Sequence, residues 1–289
     1  LVCQNIVLNE IMASNRMTVT DEDGDYPDWI ELYNAGAGQI NLSGFGLSDD
    51  TLNTQKWVLA NVTIDPGEYL VIFASDKDRY GDTLHTNFKI SASGETILLS
   101  DTGGTVIDRI DLPALNSDIS YARINDGSLP WLLQQPTPRE ANTGAGFQGY
   151  ADTVTASQQA GFYSSSVSVE LSAGESRVFY TLDGSDPDTN STEYSLPISI
   201  TQTSVLKAFS IKENYLPGPV VHHPYFIDEN TDLPVISLSA DPYNLFDPDS
   251  GIYTNFTMDW ERPAHVEFFE DDKSPGFSEN CGIEIYGSQ

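Results

Sequence analysis

Residues 21–34 read DEDGDYPDWIELYN, and the reading of this stretch decides the fold. Its second half, DWIELYN, sets Trp29, Ile30, Leu32 and Tyr33 among polar residues, which is strand composition rather than a helical pattern. Its first half crowds carboxylates around Gly24 and Pro27 and therefore predicts a turn that feeds the strand. In DWIELYN, Trp29 is expected to face a sandwich core with Trp57 and Phe88, while Glu31 is expected to point outward.

The same grammar recurs along the chain. Helical periodicity is almost absent, whereas period-two alternation appears in VSVEL (167–171), RVFYTL (177–182), HVEFF (265–269) and CGIEIYG (281–287). EYLVIFA (68–74) and ETILLSD (95–101) are short apolar runs bounded by Gly, Asp and Ser. The class predicted is all-β, as tandem sandwiches followed by a short β-rich segment.

With 289 residues, 39% apolar and 11% aromatic, the chain is long enough for two or three cores and is not a disordered acidic tail. Thirteen Lys plus Arg against 43 Asp plus Glu give a formal charge of −30, a field that repels nucleic-acid phosphates and anionic membrane surfaces. Cations, neutral glycans and basic proteins remain as partners. No run of about 18 apolar residues occurs, so no membrane-spanning segment is predicted.

Cys3 and Cys281 have no CxxC spacing, and Cys281 in NCGIEIYG is expected to be a small buried side chain. The opening LVCQNIVLNE reads as the end of a signal peptide's apolar region running into the mature chain.

Two seams divide the chain. Residues 134–161 are rich in Pro, Gly, Ala and Gln, and IDENTDLPV (227–235) is a polar acidic stretch ending in proline before a fresh apolar run. The implied organisation is a first domain at 5–143, a linker at 144–160, a second domain at 161–228 and a third segment at 233–289, read as a fragment of something larger. GAGFQG (144–149) fits GxGxxG by letter, but no buried strand precedes it and no helical pattern follows, so it reads as linker and not as a dinucleotide fingerprint.

VLNEIMASN (7–15), DEDGDYPDWIELYN (21–34), INLSGFGLSDD (40–50), PGEYLVIFAS (66–75), LHTNFKISASGETILLSD (84–101) and PTPREAN (136–142), in that order, resemble the lamin tail domain. The resemblance implies an immunoglobulin-like sandwich that mediates interaction and not catalysis. Ala122 and Arg139 stand where bacterial members usually have glycine, which implies two altered turns.

YTLDGSDPD (180–188) followed by LKAFSIKENYLPG (206–218) is similar to the chitobiase/β-hexosaminidase C-terminal domain, a fibronectin-like sandwich without a catalytic group. LPVISLSADPYNLFDPDSGIYTN (233–255) with ERPAHVEFFEDDKSPGFSENCGIEIYGSQ (261–289) resembles the opening of a CotH-type, spore-coat kinase-like protein. The lysine- and acid-bearing stretches of such a kinase core would come after Gln289.

The acidic loop predicts a calcium site: Asp21, Asp23 and Asp25 alternate around Gly24, with Asp28 and Glu31 able to close the cage through hard oxygen donors. The spacing departs from an EF-hand, and a solvated acidic turn is the alternative. Asp247 and Asp249, before Gly251, form a second cation candidate. His222 and His223 are adjacent in a strand-like run and would point to opposite faces, which disfavours joint ligation. Nothing selects a glycosidase pair from 43 acids, and no GxSxG, HExxH or Walker pattern supplies a nucleophile or phosphate cradle. Tyr163, Tyr194, Tyr215 and Trp131 are candidates for stacking on sugar rings.

The expected function is therefore that of non-catalytic N-terminal modules of a secreted or cell-surface protein, bacterial in source, that engage a protein or glycan at the surface or matrix. Two alternatives stand beside it: the N-terminal part of a CotH-type kinase, and a carbohydrate-binding accessory module of a secreted glycosidase.

Overall fold

The computed structural model describes residues 5–142 and 146–286; Cys3 and Gly144 lie outside them. The chain divides into two compact units, Leu1–Gly149 and Tyr150–Gln289, each considered by itself. Both are all-β, and the helix α1 (Pro242–Phe246) spans five residues.

In the first unit, the strands in chain order are β1 (Ile6–Met12), β2 (Asp28–Asn34), β3 (Ile40–Asn41), β4 (Gly46–Ser48), β5 (Trp57–Val58), β6 (Thr63–Ile64), β7 (Tyr69–Ala74), β8 (Thr96–Ser100), β9 (Val106–Asp111), β10 (Ser120–Arg123) and β11 (Trp131–Gln134). One sheet runs β11-β10-β1-β2-β7 and a second runs β5-β4-β8-β9. DWIELYN is β2, paired on one side with β1 and on the other with β7, so it is an internal strand of the larger sheet.

Both of its edges are thus paired, and both of its faces are buried as well. Ile30 and Leu32 are fully buried on one face, as alternation requires of core residues. Trp29 and Glu31 share the opposite face, and both are also fully buried. Trp29 packs there with Met12, Val71 and Phe73 under Val19. The expectation that Glu31 points to solvent is thus overturned: the segment around Thr137–Asn142 covers that part of the sheet and supplies its polar partners.

Of the two glycine-like positions, Arg139 has φ of 67°, a left-handed conformation in which glycine pays no steric cost. Ala122 is in no turn; it lies fully buried in β10 opposite Glu10.

In the second unit, the strands are β12 (Thr155–Ala156), β13 (Gly161–Tyr163), β14 (Val167–Val169), β15 (Leu171–Ser172), β16 (Arg177–Thr181), β17 (Thr192–Glu193), β18 (Ile198–Ile200), β19 (Ser204–Ile211), β20 (Val221–Ile227), β21 (Val235–Ser239), β22 (Arg262–Phe269) and β23 (Pro275–Ile283). The sheet β13-β20-β19-β16-β17 and the pairs β14-β18 and β12-β15 surround a core that includes Val169, Ile200, Leu206, Ala208 and Tyr225.

The sheet β21-β22-β23 belongs to the same unit. Phe269 meets Phe162 and Phe226 edge-on at 5.6 and 5.7 Å, and His265 stacks on His222 at 4.3 Å. Because β23 is an edge strand, Cys281 is half-buried rather than buried, and its thiol is free.

Candidate functional site

The acidic turn is organised by its own first residue. Asp21 Oδ1 accepts the backbone N–H groups of Asp23 and Asp25, each at 3.0 Å, and Gly24 takes φ of 83°, which closes the turn without a side-chain clash. The side chain of Asp21 is buried as a result.

The centre of the turn is filled from the loop after β7. Lys77 Nζ donates to Asp21 at 2.5 Å, Asp23 at 2.8 Å and Asp25 at 2.9 Å. An ammonium therefore occupies the position between these three carboxylates that a calcium ion would need. Arg79 adds hydrogen bonds to Glu22 and Asp23.

Asp28 and Glu31 take no part in this cluster. Asp28 opens β2, where burial raises its carboxyl to about 6 against the pull of backbone donors from Asn15 and Ile90. Glu31 lies on the sheet, accepting from Asn9 Nδ2 at 3.1 Å and from the backbone N–H of Arg139 at 2.6 Å. The five acids of the predicted cage are divided among three environments because β2 is extended and carries successive side chains away from the turn.

Glu31 is instead part of a buried polar cluster. Glu10 accepts from the backbone N–H and hydroxyl of Thr137 at 3.0 Å each, and Asp126 accepts from Tyr69 Oη at 2.6 Å. Asn9 bridges Glu31 and Asp126, both at 3.1 Å. Burial pushes Glu31 up to about 8, and it also raises Glu10. These residues fasten the segment after β11 to the sheet. Sequence reading missed the cluster, since its partners stand 22 to 127 positions apart and the bonds to Asp126, Thr137 and Arg139 come from distant segments.

Sequence reading also missed Glu22 and His85. His85 is fully buried, its Nδ1 2.8 Å from Ser75 Oγ and its Nε2 2.9 Å from Glu22 Oε2. The hydrogen bond from His85 holds the Glu22 carboxyl down at about 2.

In the second unit, Asp247 accepts from the N–H groups of Asp249 and Ser250 and from the Ser250 hydroxyl, and so serves the turn after α1. Among the described residues, Asp247 and Asp249 belong to no group of three or more potential metal ligands. His222 is held neutral, down at about 3, by burial and by the facing His265, Lys207 and His223. A cavity of about 550 Å³ is lined by Tyr180, Thr181, Asp183, Asn190, Gln202 and Ser204 among others. None of the four aromatic residues singled out for sugar stacking lines it: Trp131 lies under Arg123, Tyr163 and Tyr194 pack on the core, and Tyr215 carries Lys212.

Residues 2–113 match the family model of the Lamin Tail Domain, and residues 158–222 match that of the Chitobiase/beta-hexosaminidase C-terminal domain. No curated protein matches the chain. Both matched domains are immunoglobulin-like sandwiches of the accessory, non-catalytic kind, in agreement with the sheets described above. No helix among the described residues is long and apolar enough to cross a membrane.

Proposed function

We propose that the chain serves as recognition modules of a secreted or cell-surface protein, with the Tyr180 cavity as a seat for a neutral glycan. The cavity carries the reading: its lining residues include Asn190, Gln202, several Ser and Thr and Tyr180, with Asp183 the one charged residue among the described residues that line it. Such a lining exchanges hydrogen bonds with sugar hydroxyls and offers an apolar face to a ring. A strongly negative molecule suits an uncharged polymer better than an acidic one.

Affinity electrophoresis of the whole chain in gels containing soluble chitin or cellulose derivatives tests this. Retardation is expected, with at least about a tenfold loss of affinity in the Asn190→Ala/Gln202→Ala variant, the equivalent of roughly 1.4 kcal/mol. Mobility unaffected by every neutral polysaccharide would end the glycan reading.

A second reading has its own observation. Ile236, Leu238 and Phe277 on β21 and β23 are 65%, 54% and 51% exposed, an apolar sheet face of the sort that another layer covers. This favours a reading in which residues 233–289 open a CotH-type kinase domain and the preceding modules position it. The reading frame beyond Gln289 is the test: without a phosphate-binding lysine and metal-binding acids downstream, the kinase reading fails.

A further inference from the structure

Asp21, Glu22 and His85 each offer one ligand atom, and these atoms lie within 4.8 Å of one another. The donors of a tetrahedral ion held at about 2.0–2.2 Å stand roughly 3.3–3.6 Å apart, inside that limit, so a movement of the exposed Glu22 side chain completes the site. The group is more than an acidic cluster, because a buried imidazole from a separate segment is aimed into it.

The imidazole is held from several sides. Its ring stacks on Phe73 at 5.4 Å, Ser75 Oγ holds Nδ1 at 2.8 Å, and the backbone of residue 85 is paired with that of Arg79. Only Nε2 faces the acidic turn, 2.9 Å from Glu22 Oε2. A metal-bound histidine usually donates its far ring N–H to an acceptor that fixes tautomer and orientation, and Ser75 Oγ stands where it can accept from Nδ1.

Charge points the same way. Asp21, Glu22, Asp23 and Asp25 are four carboxylates, against the two cations Lys77 and Arg79 that contact them, a local balance of −2. A divalent ion cancels that balance. Lys77 sits among Asp21, Asp23 and Asp25, and Arg79 engages Glu22 Oε1, which leaves Glu22 Oε2 and the imidazole facing each other.

We infer that Asp21, Glu22 and His85 form a binding site for a divalent transition-metal ion of the zinc class, with Ser75 and Phe73 orienting the imidazole. Mixed nitrogen and carboxylate donors suit zinc, cobalt or nickel, whereas calcium takes six or more oxygens. Lys77 engages Asp21 Oδ2 as well as Asp23 and Asp25, so the ion takes the place of that ammonium on Asp21 and leaves it on the other two. Three protein donors leave a coordination position for water.

The experiment is calorimetric titration of the EDTA-stripped, dialysed whole chain with Zn²⁺, and visible absorption on addition of Co²⁺. One equivalent is expected to bind, with a ligand-field band that excess Ca²⁺ does not remove. Glu22→Gln and His85→Gln are expected to weaken binding by about 10–100-fold, whereas Asp23→Asn, which removes an acid outside the site, leaves it within about threefold. Should His85→Gln fail to fold, Glu22→Gln and Ser75→Ala carry the test, with the fold followed by circular dichroism. Absence of saturable binding, equal binding by wild type and Glu22→Gln, or displacement by equimolar Ca²⁺ would overturn the assignment.

Discussion

At the scale of the residue, Glu31 has the most measurable consequence. Its folded-state carboxyl stands at about 8 because burial disfavours the ionised form. The unfolded chain releases that proton near 4.5, so the stability associated with the protonated group is complete below that pH and is lost as pH rises toward 8. Thermal unfolding from about pH 5 to about pH 9 is expected to show the decline in the wild type and a flatter profile in Glu31→Gln, the two differing by on the order of 2–4 kcal/mol across the range. Parallel profiles would show that Glu31 ionises normally. Arg139 tests the neighbouring backbone: with φ of 67° and its N–H bound to Glu31, it needs the conformation but not the side chain. Arg139→Gly is expected to raise stability by about 0.5–1 kcal/mol in urea unfolding, the strain relieved exceeding the added entropy of the unfolded glycine.

At the scale of the element, the turn before β2 depends on a partner it does not contain. Lys77, from the loop after β7, is the ammonium on which Asp21, Asp23 and Asp25 converge, and Asp21 is buried. Lys77→Ala leaves those carboxylates facing one another and is expected to cost about 1–3 kcal/mol, measured by denaturant midpoint, with part of the loss recovered by added Ca²⁺ because the vacated centre then accepts a cation. A midpoint unchanged by the substitution would mean that the turn stands on its backbone hydrogen bonds alone. The sheet β21-β22-β23 behaves differently: Ile236 is mostly exposed, so Ile236→Ser is expected to change stability by less than about 0.5 kcal/mol.

At the scale of the whole molecule, a net charge of −30 opposes compaction everywhere at once. Raising NaCl from roughly 10 mM to roughly 500 mM is expected to raise the melting temperature, since screening weakens repulsion among exposed acids more than it weakens the buried contacts. A fall would mean that the exposed ion pairs, such as Arg177 with Glu193, outweigh the general repulsion.

The sequence by itself determined the all-β class, the turn at Gly24, the strand DWIELYN and the burial of Trp29, Trp57 and Phe88, because each rests on local pattern: period two, turn chemistry and aromatic size. It did not determine Glu31. Alternation divides a strand into two faces without saying what lies over each, and here the second face is covered by a segment 108 positions away. Nor did it distribute the acids: Lys77, Arg79 and His85 reach the turn across 52 to 63 residues, contacts made by the pairing of β2 with β7 and the loops that follow. Carboxylates can be counted in a sequence. Which of them meets a lysine, which meets an imidazole and which is buried protonated was decided only by tertiary structure, because those states depend on the charges and the solvent around each group, and packing brings both from distant parts of the chain.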